Sequence, residues 1–227
     1  KPSMSPVFRS RPVRLFVSGY WYHVYTRGQR REPLFFSPDD RTKYLSILED
    51  EILRRCSQVG SYCLMTNHLH LLIKMEETPF SRIFQAVHSK YARFFNKKRE
   101  TVGHVFQGRP GVKIVLDESY LRTLVGYIHR NPIEAGVTNA VKDYEWSSWP
   151  WFTRGRGDLV DPEVWAFPPG FQEGNRVKRF QEVVNSSLDL PDGENYWGTK
   201  QEWESMERRR EGREGRKFED RRKRRPL

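Results

Sequence analysis

Two kinds of apolar spacing divide the first 150 residues of the chain into strands and helices. Short apolar or alternating runs predict strands, and apolar residues three and four positions apart predict helices. The predicted strands cover about residues 20–26, 59–64, 68–74 and 112–115, and the predicted helices cover about residues 37–56, 79–98 and 117–131. This order is that of a split βαβ unit, so we predict an α+β, ferredoxin-like antiparallel sheet with helices on one face.

The third predicted strand carries two histidines. His68 and His70 lie two residues apart, so both imidazoles point to one face of the strand while the apolar residues between and after them face the core. The spacing excludes a helical HExxH zinc site, and Leu72 stands where an HxHxH triad needs its third histidine. Two cysteines are too few for a cysteine-rich zinc site. The pair forms either one edge of a metal site with ligands from a distant segment, or a strand with two incidental histidines.

The last predicted helix begins at Asp117 as its N-cap and carries polar groups on one face. At about 100° per residue, Tyr127 and Asn131 lie about 40° apart, and Tyr120 lies about 20° from Tyr127. A tyrosine hydroxyl beside a divalent metal can attack a phosphodiester, although tyrosines that pack with wet hydroxyls explain the same spacing. Because the residue before a proline disfavours helical conformation, we expect the helix to end at Asn131, before Pro132.

Charge indicates the class of partner. The chain has 40 Lys and Arg against 29 Asp and Glu, a formal net charge of +11 and a pI of about 9.8. Such a balance is typical of polyanion binders, so nucleic acid is the expected partner. No apolar run approaches the roughly 18 to 20 residues that span a bilayer, so we expect no membrane partner. Two cysteines without a disulfide pattern fit a reducing, cytoplasmic location.

Candidate phosphate-contacting residues lie at the end of the first strand, along the second helix and in later loops. For the candidates on the second helix, the competing interpretation is a charged face that contacts only solvent. The candidates are Arg27, Arg82, Lys90, Arg93, Lys97, Arg109, Arg154 and Arg156.

Composition divides the chain into three parts. Residues 1–17 form an expected flexible basic arm, residues 18–150 the main domain, and residues 151–227 a basic extension that is partly helical or disordered. Within the extension, residues 175–187 and 161–165 are expected to form short helices, and residues 203–220 a single exposed helix or a disordered run.

Four stretches resemble, in order, the motifs of the REP-associated tyrosine transposases, which are single-tyrosine members of the HUH superfamily. They are residues 64–72, 106–109, 127–136 and 143–148. The resemblance implies a ferredoxin-like catalytic domain that binds Mg²⁺ or Mn²⁺ and cuts single-stranded DNA beside a palindromic hairpin. It also implies a 5′-phosphotyrosine intermediate and a released 3′-hydroxyl. Thr66 and Glu134 depart from the usual proline and arginine of the motifs.

The resemblance also implies roles for single residues. His68 and His70 match the metal-binding pair, Tyr127 matches the nucleophile, and Asn131 matches the polar residue that completes the metal site. Tyr120 lies outside the motifs and is held as the backup nucleophile. A monomer is the expected oligomeric state.

A function from a different class is also compatible with the residues. A ferredoxin-like sheet can bind single-stranded or hairpin nucleic acid without chemistry, using aromatic side chains as stacking platforms. Tyr20, Tyr22 and Phe106 are the candidates for such platforms.

Overall fold

Four antiparallel strands form one sheet in the order β2-β3-β1-β4, where β1 is Tyr20–Arg27, β2 Gln58–Leu64, β3 His68–Met75 and β4 Gly111–Val115. The computed structural model describes residues 16–55, 57–116, 118–154, 159–160 and 176–185. The helices are α1 (Pro38–Leu53), α2 (Phe80–Arg99), α3 (Glu118–Glu134), α4 (Trp149–Arg154) and α5 (Arg176–Asn185). The predicted α+β, ferredoxin-like sheet is confirmed by this order of elements.

Helices cover both faces of the sheet. Tyr22 of β1 contacts Phe80 of α2 at 6.0 Å between ring centroids, on the face that α1 and α2 cover. The next residue, His23, points the opposite way and meets Tyr127 of α3 at 6.1 Å. The prediction places the helices on one face only. In the structure, α3 lies over the opposite face, which carries the histidines. These histidines are consequently enclosed between sheet and helix, which places them in a low-dielectric environment.

The central strand β3 is buried on both of its faces. Leu69, Leu71 and Ile73 are fully buried, as the alternating pattern predicts, and Leu72 on the histidine face is fully buried as well. A strand with a nearly continuous apolar run is typical of a sheet covered on two sides. The pairing of β3 with β1 places Arg27 opposite His68.

The end of α3 differs from the prediction. The helix continues past Asn131 to Glu134 with Pro132 inside it. The chain leaves the helix at Gly136, whose φ of +66° is left-handed, and the Val137 N–H donates to the Pro132 carbonyl at 2.8 Å. This is the hydrogen bonding of a glycine C-cap, so the glycine and not the proline ends the helix. The predicted N-cap, residue 117, lies outside the described residues.

The helix predicted for residues 175–187 is confirmed as α5, which packs on α3. Phe180 is buried and stacks on Phe152 at 3.9 Å between centroids, and the Arg130 guanidinium donates to the Val184 carbonyl at 2.9 Å. The expectations for residues 1–15, 161–165 and 203–220 fall outside the described residues. Among the residues described, no helix is both long and apolar enough to cross a membrane.

Candidate active site

The candidate site lies at the end of the sheet where β1 finishes and β3 begins, and we call this end the histidine edge. Its backbone is tied together by hydrogen bonds between neighbouring loops. The Gly28 N–H donates to the Asn67 carbonyl at 2.8 Å, and the Gln107 N–H donates to the Arg27 carbonyl at 2.9 Å. The histidine edge therefore combines residues that are distant in the sequence.

Helix α3 brings Tyr127 and Asn131 to the histidines of β3. The Tyr127 and His70 rings meet edge to face with centroids 5.3 Å apart, and the His68 and His70 centroids are also 5.3 Å apart. The Asn131 Nδ2 donates to the Tyr127 carbonyl at 2.9 Å, and the Asn131 side chain also hydrogen bonds to His68. The structure therefore assembles all four residues predicted for metal binding and nucleophilic attack.

The backup nucleophile is placed elsewhere. Tyr120 lies two turns before Tyr127 on α3, about 10 Å away along the helix axis, and packs partly buried against the core. His129, which the sequence does not assign as a base, is fully buried on the far side of the helix. Its Nε2 lies 2.9 Å from the Ser148 hydroxyl. Tyr127 is therefore the tyrosine that faces the histidine pair.

A neighbouring amide fixes the orientation of His68. Its Nδ1 lies 2.8 Å from the Asn67 Oδ1, and the Asn67 Nδ2 donates to the Arg31 carbonyl at 2.9 Å. Because an amide oxygen only accepts, Nδ1 of His68 carries the proton and Nε2 keeps its lone pair. From the sequence alone, Asn67 is only a turn residue. Its role in orienting His68 depends on the contact with the Arg31 carbonyl, which the sequence does not show.

A third histidine, which sequence reasoning missed, lies behind His70. The His23 Nε2 is 2.9 Å from the His70 Nδ1, and both side chains are buried. His23 sits on the histidine face of β1 because Tyr25 is opposite His70, and alternate residues share a face. The sequence gives only a weak indication of this contact, because the register between β1 and β3 is what brings the His23 and His70 rings together.

Burial keeps the two β3 histidines neutral. Burial, with a contribution from the Arg27 charge, lowers the pKa of His68, and burial beside His23 and His68 lowers the pKa of His70 well below its ordinary value. Both imidazoles are therefore in the form that binds metal at neutral pH.

The donor set fits a divalent metal. Two neutral imidazoles and the amide of Asn131 leave positions for water and phosphate oxygens around an octahedral ion such as Mg²⁺ or Mn²⁺. Within the described part of the chain, no three His, Cys, Asp or Glu side chains are grouped to hold a metal.

The hydroxyl of the candidate nucleophile is protonated at neutral pH. Burial raises the pKa of Tyr127 above its ordinary value, and the hydrogen bond from Asn131 and the Arg27 charge act in the opposite direction. The same two groups that face the hydroxyl would therefore stabilise negative charge on its oxygen.

Two predicted DNA contacts lie at the histidine edge. Arg27 ends β1 opposite His68, and the exposed Arg109 precedes β4. A third candidate, Lys97, is exposed near the C-terminal end of α2. Arg27 and Arg109 therefore lie beside the candidate site.

The other predicted DNA contacts are less favourably placed. Arg82 and Arg93 are exposed on α2, and Arg82 is about 22 Å from Lys97 along the helix. The Lys90 ammonium pairs with the buried Glu51 carboxylate, so its charge serves the fold. Two more candidates have side chains outside the described residues: Arg154 and Arg156.

The predicted stacking platforms are largely unavailable to bases. Tyr22 is 2% exposed and Phe106 is 8% exposed, and the Phe106 ring is covered by His88 at 3.8 Å between centroids. Tyr20 is partly buried against the core. The expectation for Tyr22 and Phe106 is therefore wrong, because both rings pack inward.

A comparison with protein families assigns the chain to one of them. The model of the family described as "Transposase IS200 like" matches residues 16–131, more than half of the chain. The chain belongs to the IS200-like transposase family. The matched segment of this transposase chain contains all four strands and ends at Asn131.

Two relatives extend this result. A Haemophilus influenzae protein named as a REP-associated tyrosine transposase is 25% identical over 150 residues, which cover 57% of this chain and 84% of the relative. A solved REP-associated tyrosine transposase bound to a REP hairpin has the same fold, with a TM-score of 0.56 and 18% identity over 67% of this chain and 94% of that chain. The resemblance drawn from the motifs is confirmed.

Proposed function

We propose that this IS200-like transposase is a metal-dependent endonuclease and strand transferase that acts on single-stranded DNA beside a palindromic hairpin. The observation that carries the proposal is the convergence of Tyr127, Asn131 and the His68–His70 pair across the α3–β3 contact. The REP hairpin bound by the similar solved transposase supports this class of substrate.

The proposed reaction is a transesterification. The Tyr127 oxygen attacks the phosphorus of the scissile phosphodiester and loses its proton, forming a phosphotyrosine at the 5′ end of one fragment. The bond from phosphorus to the 3′ oxygen breaks, and that oxygen takes up a proton to become a free 3′-hydroxyl. Because the number of phosphoester bonds is conserved, attack by another 3′-hydroxyl reverses the reaction and joins strands without ATP.

The residues around Tyr127 have separate roles in this proposal. His68, His70 and Asn131 would hold the metal, which when bound supplies positive charge that polarises the phosphoryl group. Arg27 lies opposite His68 and offers a cation to the phosphate. Asn131 hydrogen bonds to the Tyr127 carbonyl one turn earlier, so it also fixes the position of the nucleophile's helical turn.

The test incubates a labelled single-stranded hairpin, taken from repetitive palindromes of the host genome, with the protein and Mn²⁺ or Mg²⁺. We expect a protease-sensitive DNA adduct on a denaturing gel that is lost in Tyr127→Phe and His68→Ala. Tyr120→Phe is the matched control, since it removes a phenol hydroxyl from the same helix, and it should keep the adduct.

Two outcomes would contradict the proposal. An adduct that survives in Tyr127→Phe and disappears in Tyr120→Phe would move the nucleophile two turns along α3. A wild-type protein that binds the hairpin but gives no adduct and no cleavage product would instead support a non-catalytic hairpin-binding module.

A further inference from the structure

We propose that His23 is a positioning residue that holds His70 with its proton on Nδ1, so that Nε2 of His70 faces the metal. This inference rests on the proposed function, because it concerns the metal site that the transesterification needs. It extends the site from the residues that bind to one that lies behind them on the neighbouring strand.

The geometry of the pair is that of a hydrogen bond between two rings that meet edge to edge. The His23 Nε2 and the His70 Nδ1 are 2.9 Å apart, the ring planes differ by 23°, and the centroids lie 5.2 Å apart. His23 is 4% exposed and His70 is 7% exposed, so water is largely excluded from the contact. Two facing ring nitrogens at this distance share one hydrogen.

That single hydrogen has two possible positions, and only one permits metal binding. If it sits on His70 Nδ1, the Nε2 of His70 keeps its lone pair and can bind a metal. If it sits on His23 Nε2, the neutral His70 carries its own hydrogen on Nε2, and this nitrogen cannot be a ligand. The two rings therefore change tautomer together, and a metal on His70 selects one arrangement.

The two metal-binding histidines differ in how firmly their tautomers are set. His68 faces an amide oxygen of Asn67, which can only accept, so its Nδ1 must donate. His70 faces a ring nitrogen that can accept or donate. The other nitrogen of His23, Nδ1, is buried and finds no hydrogen-bond partner among the described residues, so His23 has no further contact there to fix its tautomer.

Hydrogen bonds behind metal-binding histidines commonly change metal affinity by about 10 to 100-fold when they are removed. His23→Phe removes the acceptor and keeps a buried aromatic ring beside His70. His23→Gln removes the ring but retains a side-chain oxygen that can accept from the His70 Nδ1–H. A role in positioning therefore predicts opposite results for these two variants.

The experiment measures Mn²⁺ binding to the whole protein without DNA, by titration calorimetry. We expect His23→Phe to weaken binding by about 10 to 100-fold and His23→Gln to restore most of the loss. His88→Phe is the matched control: His88 stacks on Phe106 of the loop after α2 and its Nε2 is also buried without a partner in the described part, so the change should leave Mn²⁺ affinity unaltered.

A second measurement reads the tautomer directly. Nitrogen-15 NMR of the imidazoles with Mg²⁺ bound should show the hydrogen of His70 on Nδ1. Equal Mn²⁺ affinity in wild type and His23→Phe, or a His70 hydrogen on Nε2 in the Mg²⁺ complex, would overturn the role of His23 and leave the proposed function in place. If the wild type does not bind Mn²⁺, or if His68→Ala leaves Mn²⁺ binding unchanged, the proposed metal site is wrong and this inference is wrong with it.

Discussion

Arg27 places a positive charge beside the candidate nucleophile without an acidic partner in the described part of the chain. The ion pairs found among the described residues do not include it, and its charge lowers the pKa of Tyr127 against the larger effect of burial. A half-buried arginine of this kind is available to an oxygen that becomes negative during the reaction.

Replacing Arg27 by glutamine should therefore slow adduct formation. Removing one preorganised donor to a developing charge commonly costs about 10²- to 10³-fold in rate. The measurement is the single-turnover rate at saturating hairpin, so that weaker DNA binding does not enter. Arg82→Gln removes an exposed arginine from the end of α2 that is remote from the site and should leave the rate unchanged. Equal rates for wild type and Arg27→Gln would rule out this role.

At the residue scale, the sequence predicts the candidate ligands and the candidate nucleophile but not the groups behind them. His68 and His70 share a strand face, and Tyr127 and Asn131 share a helix face, so spacing within one element is enough to find them. His23 and Asn67 act through contacts between elements, namely the β1–β3 register and the loop that holds Arg31. Neither contact can be read from periodicity.

At the scale of elements, the sequence predicts which segments form strands and helices more reliably than where they end. Pro132 is the stronger stop signal by its residue type, yet α3 ends through the left-handed Gly136. A proline in the last turn leaves only the Ile128 carbonyl without its usual donor, and the C-cap hydrogen bonds donated by Gly136 and Val137 close the helix. Because of this, Asn131 remains helical and stays one turn from Tyr127.

Asp40 is one of two buried carboxylates of α1, with Glu51, that pair with cations of α2. It accepts from the Phe36 N–H at 2.8 Å and the Ser37 N–H at 3.2 Å, which caps α1, and it pairs with Lys98 and Arg99 of α2. Burial alone would raise the pKa of Asp40, but these hydrogen bonds and charges lower it to about 2. The ionised side chain therefore stabilises the fold.

Asp40→Asn should lower the free energy of unfolding at pH 7 by roughly 2 kcal/mol, from the pKa difference between the unfolded and folded chain. The carboxylate has the lower pKa when folded, so its contribution is fully present above pH 4 and is lost as the pH falls toward 2. Urea unfolding at pH 7, 4 and 3 should show wild type and variant converging. A difference that stays constant across this range would contradict the assignment.

At the scale of the whole molecule, the core extends beyond the segment that matches the family. The match ends at residue 131, but α4 and α5 lie after it and cover the outer side of α3. Phe180 of α5 meets His129 at 5.0 Å and Trp149 at 5.2 Å between ring centroids. Since His129 is two residues from Tyr127, this aromatic cluster supports the helix that carries the candidate nucleophile.

Phe180→Ala should therefore destabilise the protein by about 3–5 kcal/mol, the usual cost of truncating a fully buried phenylalanine. Glu182→Ala is the matched control on the same helix: its side chain is exposed, so its effect should stay within about 0.5 kcal/mol. Urea unfolding followed by tryptophan fluorescence measures both, because Trp149 lies in the cluster. If Phe180→Ala cost no more than Glu182→Ala, α5 would not belong to the core. The expected large difference would instead mean that α3, which carries Tyr127 and Asn131, depends for its stability on residues that follow the family segment.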